Sequence, residues 1–248
     1  DARVTMTACQ TRMANRYIMD FSMNASVIVA LDFANRTDAL ALVHQLGNEC
    51  DFYKVGLQLL TAEGPDLVRE LVAMGKQVFL DLKVHEIPNS VAGAVSAAGA
   101  LGASMVTVHA SGGSAVLRAA VRAAAPYPSL KVLALTVITS LADTDLPEIG
   151  LPPSVRGQVE RLAQLAADCG CHGVVASALE AEYLAATLPR GTLIVTPGIQ
   201  LPGLANDQVR VATPAAARRS GATHIVVGRA VTQAPSPIQA FREAARSG

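Results

Sequence analysis

The sequence predicts a (β/α)8 barrel, a single α/β domain in which each of eight parallel strands is followed by a helix. Three observations lead there. From about residue 25 onward, short β-branched runs alternate with Ala- and Leu-rich stretches, and the pairs number eight with no strand left over. The runs are continuously apolar, the pattern of parallel strands covered on both faces. The chain has 248 residues, 51% hydrophobic and 16% charged, which suits a barrel with a large core. A doubly wound sheet also alternates strands and helices, but its glycine fingerprint after the first strand is missing here.

Taken in order, Val27–Phe33 reads as the first strand and 37–48 as its helix. Phe52–Gly56 and Gln77–Lys83 are the second and third strands, with helices over 65–74 and 90–101. Asn89 and Ser90 stand where caps of that third helix are expected. Met105–His109 and Val132–Ile138 follow, with helices over 114–124 and 155–169. Gly173–Ser177 is the sixth strand, and Ser177-Ala-Leu-Glu180 has the capping-box spacing that opens a helix over 179–187. Leu193–Thr196 and His224–Gly228 complete the strands. Their helices, over 214–220 and 237–246, follow Thr213-Pro214 and Ser236-Pro237, which put proline at the first helical position. One catalytic domain therefore spans 25–248.

Residues 1–24 differ from the rest. They show no periodicity, scatter methionines at Met6, Met13, Met19 and Met23, and lack the apolar core of a secretory signal. They read as a leader, a tag or a disordered arm. Twenty basic residues balance twenty acidic ones, which disfavours nucleic acid or an anionic membrane as a partner. No apolar run reaches the roughly 18 residues of a membrane helix. Cys9, Cys50, Cys169 and Cys171 have neither disulfide-scaffold nor zinc-pair spacing, and a reducing, cytoplasmic setting is expected.

Barrel chemistry sits at the C-terminal ends of the strands, and the charged residues collect there. The first strand ends in Asp32, the second carries Lys54, and the third finishes with Asp81 and Lys83. Asp81 and Lys83 are two apart, so strand alternation puts both side chains on one face. Two carboxylates and two ammonium groups would then alternate in a small, partly dry space. That arrangement suits a reaction that builds negative charge on carbon and takes a proton from a lysine. One such charge alone is ordinarily a solvated strand end; four on three successive strands are a candidate site. His109 reads as a satisfied polar residue at the rim and not as a metal ligand, because no second ligand has the spacing. Across the mouth, Thr196-Pro197-Gly198-Ile199-Gln200, Asp207-Gln208 and Gly228-Arg229 occupy the loops that commonly bind phosphate in this architecture.

Together these residues resemble orotidine 5′-monophosphate decarboxylases of the bacterial type. The strongest block is Leu80-Asp-Leu-Lys-Val-His-Glu-Ile-Pro-Asn89, similar to the family's Asp-x-Lys-x-x-Asp-Ile-Pro-Asn signature. Ala30-Leu-Asp32, Phe52-Tyr-Lys-Val-Gly56, Val108-His-Ala-Ser-Gly-Gly113, Thr136-Val-Ile-Thr-Ser140, Val195-Thr-Pro-Gly-Ile199, Asp207-Gln208 and Val226-Val-Gly-Arg229 support it in order. The resemblance implies decarboxylation of orotidine 5′-monophosphate to uridine 5′-monophosphate without cofactor or metal. Asp32 would contact the ribose, and Lys54 would bind it and orient the network. Asp81 would sit against the substrate carboxylate, and Lys83 would stabilise and protonate the C6 carbanion. Thr139 would lie near the pyrimidine, with Asn89 and Ser90 as further contacts. Gln200, Gln208, Gly228 and Arg229 would hold the phosphate. A homodimer is also implied, with the last acidic residue of the signature reaching into the partner's site.

Two positions depart from the pattern. Glu86 stands where the family has aspartate, and Gln200 stands where bacterial members commonly have arginine. These departures leave room for a nucleotide-binding paralogue with impaired catalysis. A sugar-phosphate decarboxylase or aldolase on the same barrel is the other alternative; a Schiff-base aldolase would need a lysine as a free amine, which flanking carboxylates disfavour.

Overall fold

The computed structural model describes residues 25–201 and 212–246. Eight parallel strands close on themselves in sequence order, β1 to β8, as a barrel. The elements are β1 (Ser26–Ala30), α1 (Arg36–Leu46), β2 (Phe52–Gly56), α2 (Leu57–Glu63), α3 (Pro65–Ala73), β3 (Gln77–Val84), α4 (Pro88–Ala100), β4 (Met105–His109) and α5 (Gly113–Ala124). They continue as β5 (Lys131–Leu135), α6 (Val155–Asp168), β6 (Gly173–Val175), α7 (Ala178–Thr187), β7 (Leu193–Ile199), α8 (Pro214–Arg219), β8 (His224–Val227), α9 (Arg229–Thr232) and α10 (Pro237–Arg246).

The near-continuous apolar strands serve two cores. Ile28, Ala30, Phe52, Phe79, Met105, Leu133, Leu135, Val175, Val195 and Val226 pack together inside the barrel. Alternate strand residues, such as Val29, Tyr53, Leu80, Val106 and Val132, pack outward against the helices in a second, larger cluster. Alternation along each strand thus divides the side chains between a filled interior and the helical layer.

The expected starts hold at three helices, with α8 opening on Pro214 and α10 on Pro237. Ser177 and Glu180 form the reciprocal capping box of α7, and the Thr213 hydroxyl accepts from the Ala216 N–H at the start of α8. The start of α4 differs: the helix begins at Pro88 with Ile87 as its cap, so Asn89 and Ser90 lie within the first turn. Pro88 needs no N–H partner there, which lets the helix start two residues early. Several strand ends also move. β1 stops at Ala30, although the Leu31 N–H still donates to the Lys54 carbonyl at 2.9 Å. β5 stops at Leu135, while β7 runs on to Ile199. Helix α2, between β2 and α3, and the single-turn α9 after β8 were not expected from the sequence. No helix among the described residues is long and apolar enough to cross a membrane. Cys50 and Cys169 are buried, Cys171 is half-buried, and all three are free. Burial pushes the Cys171 thiol up to about 12.

Two histidines at the barrel strands are partly buried and hydrogen-bonded. His172 Nδ1 accepts from the Val132 N–H at 3.0 Å, and His224 sits edge-on to Phe52 with its Nδ1 3.0 Å from the Thr223 hydroxyl. Burial lowers the pKa of both. The unfolded chain therefore binds protons that the folded one refuses, and stability rises with pH between the folded values and about 6.5. Thermal unfolding should accordingly show a lower Tm at pH 5.5 than at pH 7.5; an equal or higher Tm at pH 5.5 would contradict this.

Candidate active site

Asp32, Lys54, Asp81 and Lys83 meet at the C-terminal mouth of the barrel. Lys54 Nζ lies 3.0 Å from Asp32 Oδ1 and 3.7 Å from Asp81 Oδ2. Lys83 Nζ reaches the same Asp81 oxygen at 2.7 Å. The four charges form a chain of alternating sign with Asp81 shared between both ammonium groups. The side chains of Lys54 and Asp81 are only 12% exposed, against 34% for Lys83 and 59% for Asp32. Coupling is least screened at the dry centre, and water weakens it at Asp32. Gly56 leaves the Lys54 ammonium its place, since a Cβ there would come within 3.3 Å of Nζ.

Asp81 and Lys83 do share the mouth, but simple pleating is not the reason. The pairing of β3 with β4 slips after Leu80 and resumes at Val84, and Lys83 has φ 49°. In this bulge the Lys83 N–H donates to Thr107 Oγ1 at 2.8 Å, and the Thr107 hydroxyl donates to Asp81 Oδ1 at 3.0 Å.

The four charges form one wall of a cavity of about 380 Å³. Phe79, Leu135, Val175 and Val226 give it an apolar floor, and Thr139, Gln200, Gly228 and Arg229 line it elsewhere. A second irregularity shapes that far side. The β7–β8 register shifts between Thr196 and Ile199, with Gly198 at φ 77°, a conformation open to glycine at little cost. The Gln200 N–H then donates to the Ala212 carbonyl at 2.9 Å and the Ala212 N–H to the Gly198 carbonyl at 3.1 Å, which fixes the segment along the cavity.

Not every expected residue gathers here. Glu86 is exposed, and its carboxylate accepts from the Ile87 N–H and from Ser90, which lowers its pKa. Asn89 and Ser90 are exposed on α4 and do not line the cavity. Gln208 lies outside the described residues. His109 stands at the rim, its Nδ1 2.8 Å from the Ser111 hydroxyl and its ring stacked on His85 at 4.9 Å. Burial, with the His85 and Lys83 charges behind it, lowers its pKa. Among the described residues, no group of three histidines, cysteines or acidic residues is placed to hold a metal ion.

Thr107 is the residue that sequence reasoning missed. Its signal was a lone hydroxyl in Met-Val-Thr-Val-His, two residues before His109 in an otherwise apolar strand. Chemically, the site presents a third-exposed ammonium beside a carboxylate that is only 12% exposed, over an apolar floor, with a guanidinium-bearing residue in the lining of the same cavity. It can hold an anionic ligand at one end and deliver a proton at the other.

The family model described as Orotidine 5′-phosphate decarboxylase / HUMPS family matches residues 25–244. The chain belongs to this family. It is 48% identical over 217 residues to the orotidine 5′-phosphate decarboxylase of Nitrosomonas europaea, a match covering 87% of this chain and 94% of that protein. Identity to the enzyme of the same name from Opitutus terrae is 43% over 223 residues, covering 89% and 97%. The crystal structure of orotidine 5′-phosphate decarboxylase from Lactobacillus acidophilus superposes with a TM-score of 0.81 at 36% identity, covering 90% of this chain and 99% of that one. Family membership thus extends over the whole barrel and takes in both irregular strands, β3 and β7.

Proposed function

We propose that this chain converts orotidine 5′-monophosphate to uridine 5′-monophosphate in pyrimidine biosynthesis, with the charge chain at the mouth carrying the reaction. It is a carboxy-lyase of the decarboxylase family to which its relatives belong. The observation that carries the division of roles is Asp81, largely shielded from solvent and shared by Lys54 and Lys83. Asp81 sits against the departing carboxylate, while Lys83, the more exposed lysine, meets C6. Loss of carbon dioxide leaves an electron pair on C6; the Lys83 ammonium stabilises it and then gives it a proton, leaving a neutral amine that solvent reprotonates. Lys54 and Asp32 hold the ribose. The floor of Phe79, Leu135 and Val175 keeps water from the reacting carbon. Thr139 lies beside the pyrimidine, and Gln200, Gln208, Gly228 and Arg229 take the phosphate. The reading calls on no cofactor or metal.

The same reading makes the active species a homodimer. Among the described residues Glu86 does not join the charge chain, and the neighbouring Ile87 is 62% exposed, an apolar contact beside an acidic group. In the dimer Glu86 enters the partner's site, with Asn89 and Ser90 on the same turn. A cytoplasmic location accords with the free thiols of Cys50, Cys169 and Cys171.

Loss of substrate absorbance, followed for the chain as it stands and for Glu86→Asp, tests this. Turnover by the unaltered chain is expected, with the aspartate raising the rate by up to about a hundredfold through the shorter reach of its carboxylate. Tight uridine 5′-monophosphate binding without turnover, rescued by the aspartate, would identify a paralogue disabled at one carboxylate. Neither turnover nor nucleotide binding would favour a sugar phosphate as the substrate.

A further inference from the structure

Between the Leu80–Val106 and Val84–Val108 pairs, β3 carries three residues, Asp81, Leu82 and Lys83, where β4 carries only Thr107. The excess chain is accommodated by turning Lys83 to φ 49°, the only positive φ outside glycine among the described residues. L side chains rarely adopt that conformation, and it persists only where neighbours over-determine it. The turn also takes the Lys83 N–H out of the strand ladder. Its partner is Thr107 Oγ1, and the same hydroxyl donates to Asp81 Oδ1. Asp81 Oδ2 meanwhile accepts from Lys83 Nζ at 2.7 Å. One fully buried hydroxyl thereby closes a ring through the backbone of Lys83, its ammonium and the carboxylate between them.

We propose that Thr107 is a positioning residue for the decarboxylation. It does not line the cavity. It acts by holding the strained Lys83 backbone and the Asp81 carboxylate in one fixed relation, so that the ammonium is placed before substrate arrives. The proposal rests on the reading of Lys83 and Asp81 as the reacting pair. Without the hydroxyl, the Lys83 N–H and Asp81 Oδ1 lose their shared partner, and the bulge is free to relax toward an ordinary backbone. Displacing a reacting group by an ångström costs about a hundredfold in rate.

The test compares Thr107→Val, nearly isosteric but without the hydroxyl, with Thr107→Ser, which restores it. Thr107→Val is expected to lose about a hundredfold in kcat, while KM and uridine 5′-monophosphate affinity stay within about threefold. Thr107→Ser should recover most of that loss. A valine variant with turnover close to the unaltered chain would overturn the proposal. So would a serine variant as slow as the valine, or a valine variant that loses product binding together with turnover, since each would make Thr107 a packing residue only. Lys83→Ala, assayed alongside, separates the two levels: if it keeps its turnover, the reading of the reacting pair fails.

Discussion

Lys83→Ala should lower turnover of orotidine 5′-monophosphate by about 10⁴-fold or more while uridine 5′-monophosphate binds nearly as before. The asymmetry follows from what the ammonium does. Product carries no charge on C6, so little of its affinity depends on a cation there. The transition state carries an electron pair at that carbon, and catalysis lies in interactions that strengthen only then. No neighbour can substitute. Lys54 is held 3.0 Å from Asp32 Oδ1 and approaches Asp81 only to 3.7 Å. The fold should tolerate the change, because Asp81 keeps Lys54 and the Thr107 hydroxyl as partners. Steady-state kcat and equilibrium product binding are the two measurements. Equal losses in both would mean that Lys83 serves binding and not the chemical step.

The barrel was legible because its determinants are local and repeated. Apolar runs buried on both faces, separated by capped helices, admit few architectures, and the interior cluster of Ile28, Phe79, Leu133 and Val195 follows from strand alternation. The charged mouth was legible for a related reason, since four charges at strand ends have no packing role to explain them. What escaped reading depends on contacts between distant segments. Alternation put Asp81 and Lys83 on one face, but a slip of register and the hydroxyl of Thr107, from the next strand, are what hold them there. Nothing within Leu80–Val84 announces that slip. Helix α2 was missed because Leu57–Glu63 is short and runs into Gly64-Pro65, so its period is cut before it declares itself. Asp32 was placed on a strand that ends two residues earlier, at Ala30, with one further hydrogen bond from the Leu31 N–H to β2. Glu86 belongs to the signature in sequence, yet among the described residues it bonds Ile87 and Ser90 at the start of α4 and not the charge chain.

Arg229→Ala should weaken uridine 5′-monophosphate far more than uridine. Arg229 opens α9 immediately after Gly228, which follows β8, and both residues line the cavity. A hydrogen bond to a charged group is worth about 1.5–3 kcal/mol, which corresponds to a loss of roughly 10- to 150-fold in nucleotide affinity. The nucleoside has no phosphate to lose and should bind the variant about as it binds the unaltered chain. A rate effect should accompany the binding effect. Energy gained at a remote, non-reacting group can be used to close and orient the site, so kcat/KM for the nucleotide substrate should fall while that for orotidine stays nearly constant. Gln200 makes the outcome more informative. Its backbone is pinned to Ala212 and its side chain carries no charge, so among the described residues that line the cavity Arg229 supplies the one guanidinium. Titrations of nucleotide and nucleoside against both proteins decide the matter. Parallel weakening of the two ligands would remove Arg229 from the phosphate site and move the anion's contacts to other residues around the mouth.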